Sequence, residues 1–478
     1  MANSVFSSLV AGARRPGGSR RAVLHPGDGS WVADVEDARE QDVEAALAAA
    51  VHGARAMARL TACERAQILR RTASAVADRA DALARGIALE AGKPVRDARI
   101  EVSRCEVTFR TAAEEASRLG GEVIPIDAAP NGAGRLGIVR RFPVGIITAI
   151  TPFNFPLNLA AHKVAPALAS GNAVILKPAP RTPLSAFALA EILLDCGCPP
   201  EAIAVTPGVP PVIDPLIEDP RVSMVSFTGS AQVGWELRRR APKKKVTLEL
   251  GGNAAVIIHS DADLGAAVAR CTAGAFTYSG QVCIRSQRIL LHEAVAERFL
   301  AAFLARGAAL RMGSPLEEST DLGPMIDAAA ASRAASWVAE AIEAGARRLL
   351  GGEPRGSYFP PTVLTDVPRT CRAYAEEIFA PVVTVETYSS LEEALAIADD
   401  SKYGLQAGIF TNDLAAVLRA HERLTVGALI HNDVPMFRAD PMPYGGVRES
   451  GIGREGLRYA MEEMTEPRLL VLRPDPNR

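Results

Sequence analysis

No stretch of this chain stays apolar for the roughly 18–20 residues that a membrane-crossing helix needs, so no bilayer partner is expected. Neither charge sign dominates: 53 Lys and Arg face 55 Asp and Glu, a formal net charge of -2. No global field therefore draws the molecule to nucleic acid or anionic lipid. The one basic run, Arg238-Arg239-Arg240 to Lys243-Lys244-Lys245, has no interleaved aromatics and reads as a solvated helix end. Cysteines are few and odd in number, seven in all, which suits a reducing compartment better than a disulfide framework. The cytoplasm is the expected location. Cys196-Gly197-Cys198 is too close for an ordinary bridge and lacks a second ligand pair, so no metal is expected. Residues 1–27 contain Arg and Ser but no acid, a composition compatible with a transit peptide. They lack an Arg-rich amphipathic helix and run into Ser30-Trp31-Val32, which reads as a strand, so an ordinary N-terminus is expected.

The 478 residues, 48% hydrophobic, exceed what one core usually organises, and two or more domains are expected. Residues 41–119 are rich in Ala, Arg, Glu and Leu at helical spacing, broken by a turn at Gly92-Lys93-Pro94. From about 137, short β-rich segments (Val144–Ile150, Ala173–Leu176, Ile203–Val205, Met224–Phe227) alternate with helical stretches, the pattern of a doubly wound parallel sheet. A second alternating stretch follows from about 246: Val246–Leu250, Ala254–Ile258, Arg288–Leu291, Val382–Thr387 and Ala407–Phe410, with the Gly251-Gly252 pair as a candidate boundary between two such units. The tail Arg468–Leu472 reads as a late strand with Gly137–Arg141 as a candidate partner, and a strand of that kind suits a subunit interface.

Five segments carry candidate chemistry. Thr151-Pro152-Phe153-Asn154-Phe155-Pro156-Leu157-Asn158 follows a strand, where α/β sheets bind ligands. Asn154, Asn158 and His162 are spaced to share one helix face, although an N-cap with a solvated polar face is equally open to Asn154. Lys177 ends a strand, a position that suits a ribose or phosphate or plain solvation. Ser226-Phe227-Thr228-Gly229-Ser230 runs from strand to small-residue turn to helix start, a weak phosphate signal without the GxGxxG spacing. Glu249 lies among leucines, either paired structurally or with the raised pKa of a general base. Cys283, in Gly280-Gln281-Val282-Cys283, is either a nucleophile or a small buried hydrophobe.

Taken together, Glu249-Leu250-Gly251-Gly252-Asn253 and Gly280-Gln281-Val282-Cys283 resemble the paired signatures of the aldehyde dehydrogenase superfamily. Pro152-Phe153-Asn154, Lys177-Pro178-Ala179, Phe227-Thr228-Gly229-Ser230, Glu377-Ile378-Phe379-Ala380-Pro381 and the stretch from Tyr444 to Gly456 follow in the same order. The resemblance covers the chain from about residue 30. It implies an α/β fold with two doubly wound Rossmann-type domains plus a small β oligomerisation element. The corresponding division is 1–120 with 140–247 for the dinucleotide, 248–445 for catalysis, and 121–139 with 446–478 as the bridging element. It also implies that Cys283 attacks the aldehyde, that Asn154 and the cysteine N–H hold the oxyanion, and that hydride passes to nicotinamide. Glu249 then serves as general base for hydrolysis of the thioester.

By the same resemblance, Ile150, Thr151, Pro152, Phe153, Lys177, Pro180, Phe227, Gly229, Ser230, Val233, Leu250, Gly251, Glu377 and Phe379 bind NAD or NADP. Many NAD-specific members carry Glu where this chain has Pro180, so NADP is admissible and NAD is not forbidden. Ala380 departs from the common Gly. Phe437-Arg438 and Pro441-Met442-Pro443-Tyr444 resemble the lactaldehyde and phosphonoacetaldehyde dehydrogenase-like branch, implying a small polar or anionic aldehyde. Arg110, Phe155, His162, Val282, Ile284, Arg285 and Phe437 are expected at the substrate, with Arg110 and His162 on its tail. A homodimer or homotetramer is expected. The alternatives are a CoA-acylating dehydrogenase, which commonly lacks the Glu249 base, a cysteine thioesterase or esterase, and a non-catalytic structural protein.

Overall fold

The computed structural model describes residues 5–473. The expected helical run resolves into α1 (Glu40–Arg59), α2 (Ala62–Asp78), α3 (Ala80–Ala91) and α4 (Val95–Ala116). On α1 the buried residues Val43, Ala46, Leu47, Ala50 and Met57 recur at three- and four-residue intervals, which lays one stripe on the core. Thr61 and Glu64 close a reciprocal capping box at the start of α2.

Eight strands form the first sheet, in the order Gly451–Ile452, Lys245–Glu249, Met224–Thr228, Ile146–Ile150, Ala173–Lys177, Ile203–Val205, Ser8–Val10, Ala13–Arg15. The five from Lys245–Glu249 to Ile203–Val205 run parallel and are almost wholly buried, as a doubly wound sheet requires. Chain order reverses between Ile146–Ile150 and Met224–Thr228, which opens a crevice at their carboxyl ends. A seven-stranded second sheet is centred on Val382–Tyr388, Arg288–His292, Ala255–Ile258 and Gln406–Phe410, all parallel. The bounds of the parallel strands expected from sequence match to within about two residues, but the one expected at 246–250 to open the second stretch lies in the first sheet as Lys245–Glu249, paired in parallel with Met224–Thr228.

The third sheet pairs Thr465–Leu472 with Leu136–Pro143 in antiparallel register, with Glu122–Ile124 on its other edge. The partner expected for the tail strand is therefore the observed one. The expected bridging segment 446–478 divides, however. Gly451–Ile452 pairs with Leu248 and Glu249 in the first sheet, and the helix Leu457–Glu463 packs on α4 and on α5 (Asn158–Ala169). Only Thr465–Leu472 joins the bridging sheet, which itself runs to Pro143 rather than 139. Residues 1–4 and 474–478, the ends of the expected segments, lie outside the described residues. No helix among the described residues is long and apolar enough to cross a membrane.

α5 is buried on every face. A polar side chain there is costly to leave unpaired, which favours the pairing of His162 and Lys163, although Asn158 Nδ2 has no partner.

Candidate active site

Cys283 follows a short turn, Thr277–Gly280, whose backbone is strained: Tyr278 and Ser279 hold φ of 50° and 52°. The strain is held by the Tyr278 hydroxyl, which donates to Ala91 O at 2.8 Å, and by Ser279 Oγ, which donates to Gly323 O at 2.6 Å. At Gly280, φ +69°, a Cβ would lie 2.3 Å from Ala380 O, so no larger residue fits. The Asn154 carboxamide donates to Gln281 O at 2.9 Å and brings the oxyanion candidate beside the nucleophile loop. Asn154 sits in the turn before α5, not on it; the expected helix face is thus broken, and Asn158 instead accepts from Thr108 Oγ1 at 3.2 Å.

Glu249 ends its strand buried, and neither carboxylate oxygen has a hydrogen-bond partner. Burial first, then the nearby Glu455, push its carboxyl well above the usual range. Burial pushes the Cys283 thiol up to about 11, opposed by a contact of 3.0 Å from Sγ to the Tyr444 hydroxyl.

A cleft of about 930 Å³ opens from these three residues along the carboxyl ends of the first sheet's strands. Every residue expected at the cofactor lines it, from Lys177 and Pro180 at one end to Glu377 and Phe379 beside Cys283. The donor set fits a dinucleotide. The helix Ala231–Arg240 begins at Ser230 without a side-chain cap, leaving first-turn N–H groups for a phosphate. Burial lowers the Lys177 ammonium to about 8, with Arg21 adding repulsion. Arg21 bonds the Pro180 carbonyl and pairs with Asp37 at 3.0 Å, so a second cation lies at the end where Glu is absent. Glu377 accepts from Gly252 N at 3.1 Å and is pushed up to about 7, chiefly by burial. A Cβ at Gly251 would lie 2.1 Å from the Glu377 carboxylate, which would have to move aside to admit one. Arg333, Trp337, Lys402 and Tyr403 also line the cleft. Arg333 and Trp337 were not legible in sequence, because on the helix Ala328–Glu343 they read as ordinary surface residues.

The substrate expectations divide. Phe155, Val282 and Ile284 pack in one apolar cluster with Cys283 and Tyr444, and Phe437 is exposed. Arg110 is not brought to the site: it is exposed on α4 and pairs with Glu106 one turn away at 2.6 Å. His162 is buried between two partners. Its Nε2 meets Asp440 at 2.8 Å and its Nδ1 meets Arg438 at 3.3 Å. A guanidinium can only donate, so Nδ1 accepts and Nε2–H donates to Asp440, the neutral tautomer. Burial and Arg438 hold the imidazole down at about 4, so it is not the cation that an anionic tail would need. Arg285 is a buried brace that donates to the carbonyls of Ala275 and Val382.

The arginines buried around His162 and Tyr444 are different ones, and of these Arg438 is the charge felt at Cys283. Arg438 lies 3.6 Å over the Tyr444 ring centroid and donates to Glu455 at 3.0 Å, while Arg104 meets Asp440 at 2.8 Å. The buried Nε of each arginine has no partner. Their separation of more than three hundred residues hid the pairing of Arg104 with Asp440 from sequence reading. The basic run 238–245 meets acids, with Arg240 on Asp214 at 2.9 Å and Lys245 on Glu466 at 3.0 Å. No metal-binding cluster occurs among the described residues.

The profile described as the aldehyde dehydrogenase family matches residues 14–470. The chain belongs to the aldehyde dehydrogenase family. It is therefore an NAD(P)-dependent oxidoreductase acting on aldehydes. Among aldehyde dehydrogenases similar to it, the 3-sulfolactaldehyde dehydrogenase of Priestia aryabhattai is 42% identical over 441 residues, 92% of each chain. Aldehyde dehydrogenase 21 of Physcomitrella patens, solved in complex with the reaction product succinate, superposes with TM-score 0.97 at 42% identity, covering 99% of both chains. The glyceraldehyde-3-phosphate dehydrogenase of Methanocaldococcus jannaschii, complexed with NADP, superposes at 0.91 with 37% identity, covering 97% of this chain and all of that one.

Proposed function

We propose that this aldehyde dehydrogenase oxidises a small aldehyde with an anionic tail to the carboxylate, through a covalent intermediate on Cys283. The observation that carries the mechanism is convergence: Cys283, Asn154 and Glu249 share the inner end of one dinucleotide-sized cleft. The thiolate attacks the carbonyl carbon, the C–S bond forms, and the carbonyl π electrons move to oxygen. The Asn154 amide has a second N–H besides the one given to Gln281, and with the Cys283 N–H it holds that oxyanion. The dinucleotide supplies the acceptor for hydride. Hydrolysis of the thioester follows, with Glu249 taking a proton from water as the C–S bond breaks. Its two unpartnered oxygens keep their lone pairs free to accept from that water. The same carboxylate distinguishes this reading from acyl transfer to CoA.

Tail recognition rests on Arg438 and Arg104, which replace the expected Arg110 and His162. Each keeps a buried N–H without a partner, and a guanidinium matches carboxylate, sulfonate or phosphate oxygens. The relatives named above act on, or bind the product of, sulfonated, carboxylated and phosphorylated aldehydes. Assembly as a homodimer or homotetramer is supported by Leu469, Leu470, Val471 and Leu472, all exposed along the outer strand of the third sheet. Seven free cysteines suit the cytoplasm.

The test is a panel of aldehydes with NAD and NADP, followed by nicotinamide absorbance. Succinic semialdehyde, sulfolactaldehyde and glyceraldehyde 3-phosphate are expected to exceed uncharged alkanals of equal length in kcat/KM. Arg104→Ala is expected to erase that preference while leaving alkanals unchanged. Equal rates for charged and uncharged members would overturn the tail assignment.

A further inference from the structure

Among the described residues, Sγ of Cys283 meets one side-chain hydrogen-bonding group, the hydroxyl of Tyr444 at 3.0 Å. Asn154 spends one N–H on Gln281, and Glu249 has no N–H or O–H to give when ionised. Tyr444 is not free to swing away. Its backbone exchanges hydrogen bonds with Glu455, at 3.0 and 2.6 Å, and its ring is buried beneath the Arg438 guanidinium. Arg438 is anchored in turn by Glu455 and His162. The phenol oxygen is thus fixed beside the sulfur by neighbours that do not themselves touch it.

We propose that Tyr444 is a further catalytic residue: its O–H donates to Sγ of Cys283, favours the thiolate and holds it ready for the aldehyde. This rests on Cys283 being the nucleophile. The phenol keeps its own proton throughout, and the thiol's proton is released to water in the cleft. When the sulfur lone pair becomes the C–S bond, the hydrogen bond to sulfur is given up. Burial raises the Tyr444 hydroxyl well above its ordinary range, so it remains a donor across the working pH. The Arg438 cation against the ring polarises that donor further. A hydrogen bond to an ionised acceptor is roughly twice as strong as a neutral one, so the contact discriminates thiolate from thiol.

The experiment is alkylation of Cys283 by iodoacetamide in the full-length protein, followed by peptide mass across the thiol titration range, without aldehyde or dinucleotide. In Tyr444→Phe the midpoint is expected to rise by about one pH unit, which slows alkylation about tenfold at a fixed pH below it. Replacing Tyr444 with 2,3-difluorotyrosine, a more acidic phenol of nearly the same shape, is expected to move the midpoint down. A merely structural role predicts unchanged profiles, since phenylalanine keeps the ring and its stacking on Arg438. Coincident midpoints for parent and Phe variant would overturn the proposal. If the Phe variant does not fold, an unmoved midpoint in the fluorinated protein overturns it instead. The readout needs no substrate, so a wrong aldehyde assignment leaves it intact. Alkylation of Cys283 that spares turnover would refute the nucleophile itself.

Discussion

The Asn154 carboxamide donates to the main-chain carbonyl of Gln281 at 2.9 Å, across the border between the two large sheets. One side chain thereby ties the loop that ends a first-sheet strand to the loop that carries Cys283 two residues further on. In the proposed mechanism an oxyanion held by Asn154 and the Cys283 N–H would draw on both loops, so its geometry would depend on how the two sheets dock.

Asn154→Ala removes the amide donor and the tie together. The expected loss is about 2.7–4 kcal/mol of barrier, or about a hundredfold to a thousandfold in kcat, as for a single oxyanion donor. Steady-state kinetics on a variant shown to be folded checks it, and a change smaller than about threefold would remove Asn154 from the mechanism.

Glu249→Gln should leave acylation intact and block hydrolysis. Rapid mixing is expected to show a burst of about one reduced nicotinamide per site, followed by turnover slowed by about 10²–10⁴. In the parent, burial and Glu455 raise the Glu249 carboxyl, so its basic form accumulates as pH rises. Hydrolysis should therefore fall toward acid, and a flat profile would exclude Glu249 as the base.

Glu455 receives Lys163 at 2.9 Å and Arg438 at 3.0 Å, all three buried. Glu455→Gln removes a negative charge that raises Glu249, so the acid limb of kcat should shift to lower pH. It also leaves two buried cations poorly compensated, at a cost of about 3–5 kcal/mol of stability. Urea melts and pH–rate profiles on the same protein separate the two effects.

Pro180→Glu places a carboxylate where Lys177 and Arg21 supply positive charge. It should repel a 2′-phosphate and accept from ribose hydroxyls. The ratio of NADP to NAD in kcat/KM is expected to fall about tenfold or more, near 1.4 kcal/mol. Dissociation constants from nicotinamide fluorescence should move in parallel.

Histidine 162 links stability to pH. Burial and Arg438 lower it from 6.5 to about 4. A histidine depressed in the folded state contributes stability that is present above 6.5 and lost as pH falls toward 4. Tm should decline through that window, and His162→Gln should flatten the decline even though it lowers Tm at pH 7.

Most of the parallel strands were legible because each is a short apolar run between turn residues, and such runs are specified locally. The resemblance of ordered motifs pointed to Cys283, Glu249, Asn154 and the other residues that line the cleft, since each sits at a strand end or a turn whose residues are adjacent in the chain. The substrate side was not legible. Arg110 sits about one and two-thirds turns beyond Arg104 on α4, and helix phase puts the first on the surface and the second against Asp440. Whether His162 is a cation or a neutral spacer depends on Arg438, 276 residues away in sequence. The order of motifs, local and covalent, determined the family and the residues that line the cleft. Which charges surround the nucleophile was decided by the docking of α4, α5 and the C-terminal loop, because electrostatic partners are chosen by distance in space and by burial.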